Sequence, residues 1–224
     1  MNIFGIDCST SSPAVCCLML DDNFDVIDVK ALCFTKLPKK YRIFVQDKNI
    51  RYIEIPDSVY TNYYARVRFL TKEIYSFYKR YKPQYFAVED YAVSRQGRLT
   101  SLAEICGLIK WGLLDSGSIL RVYEIITIKK FFTKNIGYNH GKKIGIDKNV
   151  MLEAWNKMEK RPFNLNTLPA LTVSGNPKDD IVDSYAIAEM LRQELKYANG
   201  LPYSENLHEL IHGKEYKPYN FIKL

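Results

Sequence analysis

The feature that most limits the fold is an N-terminal succession of three short apolar runs, "NIFGID", "AVCCLML" and "VIDVKALCF", separated by the turn-like "CSTSSP" and "DDNFD". Short runs rich in apolar and β-branched residues, closed off by Ser, Pro, Asn and Asp, predict consecutive strands in hairpin succession. The first run ends in a carboxylate, Asp7. Burying an unpaired carboxylate costs several kcal/mol, so something near Asp7 has to offset its charge.

Further along, "YFAVEDYAV" and "LRVYEII" predict a fourth and a fifth strand. Between the third and fourth, Val67, Leu70, Ile74, Phe77 and Tyr81 recur every three or four residues, which predicts a helix from about Thr61 to Tyr81, ending ahead of Pro83. Ser101 and Glu104 make a capping-box pattern for the next helix, whose stripe is Leu102, Ile105, Ile109 and Leu113. A short helical piece follows at Lys129 to Lys134. Asp147 caps a helix running to about Met158, and Asn176 with Pro177 opens a long final helix reaching about Leu195.

Residues 35–62 read as an extra hairpin or an ordered insertion, "NIGYNHGKKIG" and "RPFNLNTLPALTVSGNP" as loops, and 197–224 as a tail after a domain spanning 1–196. A meander followed by β-α-β-α units predicts an α/β architecture: a mixed five-stranded sheet with helices on both faces.

At 224 residues, 47% hydrophobic and 25% charged, the chain can bury one substantial core. Lys and Arg number 32 against 25 Asp and Glu, a net charge of +7. Nine basic and four acidic residues fall between Arg121 and Lys160, so the excess is partly local and points to a polyanionic partner. The five cysteines lie mostly in apolar runs without CxxC spacing, as expected of small buried hydrophobes in a reducing compartment. No secretory leader pattern and no membrane-length apolar run is present, so a cytoplasmic protein is expected.

Glu89, which follows "YFAV", repeats the anomaly of Asp7. In the final helix, "KDDIVDSYAIAEML", Asp180 and Asp183 are three residues apart and share a face. The helix dipole accounts for an acid in the first turn, such as Asp180, but not for Asp183. Asp179 and Asp183 are four apart and share a face as well, so spacing leaves both partners open. Three or four carboxylates stay ionised together only with cations between them. An all-oxygen set suits Mg²⁺ or Mn²⁺, and two ions about 4 Å apart would activate water and stabilise the leaving oxygen in phosphodiester hydrolysis. The competing account is a set of separate salt bridges.

The segments "FGIDCSTSSPAV", "YFAVEDY", "LAEICGLIKWGLL", "IITIKKFFTKN", "DKNVMLEAW" and "KDDIVDSYAIAEML", in this order along most of the chain, resemble the RuvC-type Holliday-junction resolvases of the ribonuclease H-like superfamily. The resemblance implies a metal-dependent endonuclease that cuts four-way DNA junctions as a homodimer. It matches Asp7 to the first-strand aspartate, Glu89 to the fourth-strand glutamate, and Asp180 and Asp183 to the pair on the final helix, through a "DAxAxA" pattern. Asp7, Glu89, Asp180 and Asp183 are thereby implied as catalytic residues and as ligands of two Mg²⁺ ions, for which Mn²⁺ would substitute. Lys129 and Lys148 match lysines near the DNA backbone, and "LAEICGLIKWGLL" is implied as a dimer helix with Gly107 at a close approach. Where the family's first loop usually reads "GIDPG", this chain has Cys8 and Ser9. That departure, the long 35–62 segment and the Lys, Ile, Asn and Tyr richness look more like a phage or viral branch.

Tyr91, Arg95 and Arg98 follow the catalytic strand, where arginines would clamp phosphates and an aromatic ring would stack on exposed bases of a branched DNA. Lys142 and Lys143, beside His140 and two glycines, are candidates for holding a phosphate. Other readings are a ribonuclease H acting on RNA–DNA hybrids and a non-catalytic DNA-binding module. The actin-like ATPase fold, whose phosphate loop "DCSTSS" imitates, needs a second similar domain and a Gly-rich adenosine loop that the sequence lacks.

Overall fold

The computed structural model describes residues 1–10, 12–35, 48–90, 96–133, 148–158, 160–165 and 177–213. Strands β1 (Asn2–Asp7), β2 (Ala14–Leu20) and β3 (Val26–Thr35) form the expected antiparallel meander. A further strand, β4 (Ile50–Glu54), lies beyond β3, while β5 (Tyr85–Glu89) and β6 (Ile119–Tyr123) extend the sheet in parallel from the other side of β1. The order is β4-β3-β2-β1-β5-β6.

The mixed α/β sheet therefore has six strands, the expected five plus β4 from within the 35–62 segment. A hairpin between β3 and β4 would pair antiparallel, whereas β4 runs parallel to β3. Asn49 sets its entry: its backbone carbonyl accepts from Ala31 N at 2.8 Å and its side-chain oxygen from Lys30 Nζ at 2.7 Å. A four-residue helix, α1 (Asp57–Tyr60), follows.

Helices α2 (Tyr63–Tyr81) and α3 (Gln96–Asp115) cover one face, burying Phe4, Ile6, Val15, Cys17, Leu32 and Phe34 of the sheet. On the other face lie α4 (Ile125–Thr133), α5 (Lys148–Lys157), α6 (Lys178–Ala198) and α7 (Glu205–His212), against Ile3, Ala14, Cys16 and Leu18. The period-two alternation of the strands sorts their side chains between the two cores.

The predicted α2 is found, with Asn62 Oδ1 accepting from Ala65 N at 3.0 Å and Lys82 closing the helix in the left-handed region at φ 45°. α3 begins at Gln96, so Ser101 and Glu104 lie inside it and form no capping box. They meet α2 instead, Tyr63 Oη lying 3.0 Å from Ser101 O and 2.6 Å from Glu104 Oε2. The cap of α6 is Pro177, one residue later than expected. The chain after Tyr197, expected as a tail, is folded at least as far as α7, whose Leu207 and Leu210 are buried in the α6-side core. All five cysteines are free and buried, as expected. Among the described residues no helix is long and apolar enough to cross a membrane.

Candidate active site at the carboxyl ends of the central strands

In β1, Phe4 and Ile6 belong to the α2–α3 core and Ile3 to the α6 core. Period two then aims Gly5 and Asp7 at α6. The same alternation in β5, with Phe86 and Val88 on one side and Ala87 on the other, aims Glu89 at α6 too. β1 and β5 are parallel with Ile6 opposite Val88, so Asp7 and Glu89 occupy neighbouring strand ends. Beside them the loop after β1 is turned by Ser9, whose Oγ accepts from Ser12 N at 3.2 Å. The chain thus makes the bend with Ser9 where the resembling family has Pro-Gly.

α6 reaches these strand ends because β1 has no side chain where the helix crosses it. A Cβ on Gly5 would stand 2.2 Å from Ser184 O and 2.3 Å from Ala188 N, inside any permitted contact. Gly in a strand interior marks such a close backbone approach. One turn before Ser184 comes Asp180, and directly before it Asp183, so the helix delivers both carboxylates toward Asp7 and Glu89.

Electrostatics reports their convergence. Glu89 is pushed up from 4.5 to about 7, first by burial and then by the charge of Asp183, with Asp180 adding to the rise. Lys129 and a hydrogen bond from the Asp7 carboxyl pull it back. Asp180 also raises the thiol of Cys33 on β3, after burial, while Asp183 lines a cleft together with Glu89 of β5. Asp7 is 8% exposed and Asp180 5%. Asp179 is buried as well, at 2% exposure, and its two carboxylate oxygens are sealed from solvent, so it stays a neighbour of the pair Asp180 and Asp183 that raises Glu89.

Among the described residues no three or more His, Cys, Asp or Glu side chains are already gathered closely enough to hold a metal ion together. The chemistry of the donor set nevertheless fits a hard divalent cation. It consists of carboxylate oxygens alone, and two of the groups, Asp7 and Glu89, lie within hydrogen-bonding reach of each other, where a cation would neutralise both.

Lys129 on α4 is half-buried and lines a small cleft with Glu89, Ile125, Ile128, Met151, Asp183 and Ile187. It stands among the acids and not on a solvated helix face. Of the other sequence-predicted DNA contacts, Arg98 lies in the first turn of α3 and Lys148 opens α5, one turn before Met151 of the cleft. Tyr91, Arg95, Lys142 and Lys143 lie outside the described residues, as do His140, Asp147 and Asn176, and so do the side chains of Arg98 and Lys148.

Two features were not singled out from the sequence. One is Gly5, readable as a glycine inside an apolar strand. The other is an ion pair inside the α6-side core, where Arg121 Nε donates to Glu194 Oε2 at 3.0 Å and Oε1 at 3.2 Å. The side chains of Arg121 and Glu194 are 7% and 1% exposed. Tyr123 donates its hydroxyl to the same carboxylate, and the guanidinium lies 4.7 Å from the Tyr123 ring centre. The signal was a charge within each apolar pattern, "ILRVY" and the Leu191–Leu195 stripe.

No protein-family model and no curated protein matches the sequence. Among solved structures, Thermus thermophilus RuvC aligns over 89% of this chain and 97% of its own at 15% identity and a TM-score of 0.50. The same protein in complex with Holliday junction substrate aligns over the same shares at 13% identity and a TM-score of 0.50. The yeast mitochondrial Holliday junction resolvase Ydc2 follows at 13% identity and a TM-score of 0.45, over 83% of this chain and 75% of its own. These structures give the expected phage or viral branch no support. The six-stranded order, the helices on both faces and the near full-length alignment identify the chain as having the RuvC-type, ribonuclease H-like fold.

Proposed function

We propose that the protein is a metal-dependent endonuclease that resolves four-way or other branched DNA junctions by hydrolysing phosphodiester bonds. The observation that carries this reading is the mutual electrostatic contact of Glu89 with Asp7, Asp180 and Asp183, contributed by two strands and a helix of a RuvC-type fold. Carboxylates gathered where DNA would lie repel phosphates unless cations intervene, so the cluster favours catalysis over passive binding.

Asp7, Glu89, Asp180 and Asp183 are the residues that would hold the ions. When bound, two Mg²⁺ ions, or Mn²⁺ in their place, supply activation of the attacking water and charge stabilisation of the leaving oxygen. The chain's own contribution is to orient. The parallel β1–β5 pair keeps Asp7 beside Glu89, and α6 seated on Gly5 keeps Asp180 and Asp183 opposite. Lys129 offsets part of the negative charge beside Glu89 and stands where it would meet a backbone phosphate. A separate concavity of about 600 Å³ at the end of α5 is lined by Lys160 and Arg161 among others, cations of the kind a phosphate backbone would meet. Tyr91, Arg95, Arg98, Lys142, Lys143 and Lys148 are proposed to complete the DNA contacts.

Symmetric cutting of a four-way junction requires two active sites, hence a homodimer. The α3 surface supports one: Gly107 has nothing within 4 Å of where a Cβ would sit, and Leu108 and Trp111 beside it are 49% and 68% exposed.

The test is cleavage of a labelled four-way junction beside matched duplex, replication fork and RNA–DNA hybrid, in Mg²⁺, Mn²⁺ and excess chelator. Paired, metal-dependent nicks at the junction are expected. Asp7→Asn should lower cleavage by on the order of 100-fold or more while leaving junction binding in place. Cleavage of the hybrid alone would make the protein a ribonuclease H, and binding without cleavage a DNA-binding module.

A further inference from the structure

The end of α7 reads "HELIH", placing His208 and His212 four residues apart on a helix, the spacing with which two imidazoles reach one metal ion. Both are exposed, and their ring centres are 4.1 Å apart at an interplanar angle of 42°. The helix under them is fixed. Leu207 and Leu210 are buried on its opposite side, Asn206 Nδ2 donates to Phe131 O at 3.0 Å, and Ser204 N donates to Gln193 Oε1 of α6 at 2.8 Å. Tyr203 Oη lies 3.1 Å from His208 Nδ1. With the Nδ1 proton donated to that hydroxyl, the Nε2 lone pair is left for a metal, the arrangement by which an outer hydrogen bond orients a ligating histidine.

We propose that His208 and His212 form a surface site for a transition-metal ion of the Zn²⁺, Ni²⁺ or Cu²⁺ class, completed by water. Imidazole favours these ions over Mg²⁺, so the site is chemically distinct from the carboxylates at the strand ends. The sequence spacing is shared with zinc peptidases, whose sites draw a third protein ligand. Among the described residues no group of three or more such side chains is gathered, so binding, not peptide hydrolysis, is assigned.

The site is tested by calorimetric titration of Zn²⁺ into the full chain in excess Mg²⁺, with the histidine ring nitrogens followed by NMR. The wild type is expected to bind one Zn²⁺ more than the His208→Ala/His212→Ala double variant, with the signals of both rings shifting. His212→Ala alone should weaken this binding about tenfold or more, and Tyr203→Phe by less. Both histidines are exposed, so an unchanged melting curve in the double variant shows that its fold is intact. The same stoichiometry and affinity in wild type and double variant, or ring signals that do not move, would overturn the proposal whatever the outcome of the junction assay.

Discussion

Gly5 carries more of the site than any side chain that is present. Its absent Cβ lets α6 rest on the β1 backbone, and the atoms that a Cβ would strike are backbone atoms that no rotamer change moves. Gly5→Ala is therefore expected to destabilise the protein by about 1 to 3 kcal/mol. It should also raise the Mg²⁺ concentration needed for cleavage, because Asp180 and Asp183 ride on the displaced helix. Thermal melts and a Mg²⁺ titration of cleavage check the two effects. At Glu89 the proposed function would be held against stability. Its folded-state pKa of about 7 exceeds the unfolded value of 4.5, so the folded state binds the proton more tightly. The resulting stability is fully present below pH 4.5 and is lost as pH rises through about 7. Glu89→Gln, which never ionises, should match the wild type in acid and exceed it by about 1 to 3 kcal/mol at pH 8 in chelator. Denaturant melts across this range measure the difference. The acids were legible as charges in apolar runs, whereas the role of Gly5 depended on knowing which helix crosses it.

At the scale of elements, α6 decides the geometry of the site, because it packs along the central strands and brings two carboxylates to one end of them. Its far end is held by Glu194 against Arg121 and Tyr123 of β6. Glu194→Ala leaves a guanidinium buried without its carboxylate and is expected to cost about 3 to 5 kcal/mol. The paired change Arg121→Met/Glu194→Leu should recover much of that loss, and chemical denaturation of the single and double variants measures both. Elements with strong local patterns, such as α2 with its buried Val67, Leu70, Ile74 and Phe77, were legible in the sequence. The start of α3 was not, because Ser101 and Glu104 satisfy a capping pattern yet lie inside the helix, where the Ser101 backbone carbonyl and the Glu104 carboxylate accept from Tyr63. Nor was β4, whose charged and weakly alternating residues become a strand only by pairing with the edge of β3.

For the whole molecule, the proposed homodimer places the partner against α3. Burying Trp111, which is 68% exposed in the single chain, would supply the kind of aromatic anchor that dominates interfaces. Trp111→Glu is expected to weaken dimerisation by at least about 30-fold, the equivalent of about 2 kcal/mol. Light scattering should then find a monomer that still melts cooperatively but no longer makes paired nicks. A variant that stays dimeric would move the interface elsewhere.

By itself the sequence determined what is local. Strand and helix periods, the acids standing inside apolar runs and the basic excess were enough for a mixed sheet with helices on both faces and for acids at Asp7, Glu89 and the final helix, and the resemblance to RuvC-type resolvases implied the set of four. Only the tertiary structure decided what depends on juxtaposition. The sixth strand needs an edge to pair with, Gly5 matters only because α6 crosses it, and Asp180 and Asp183 act on Glu89 only because α6 packs over the end of β5. Hydrophobic period is written in neighbouring residues and survives in any fold. Electrostatic coupling falls off with distance in space, and for groups as far apart in the chain as Asp7, Glu89 and Asp183 that distance is set by how β1, β5 and α6 pack.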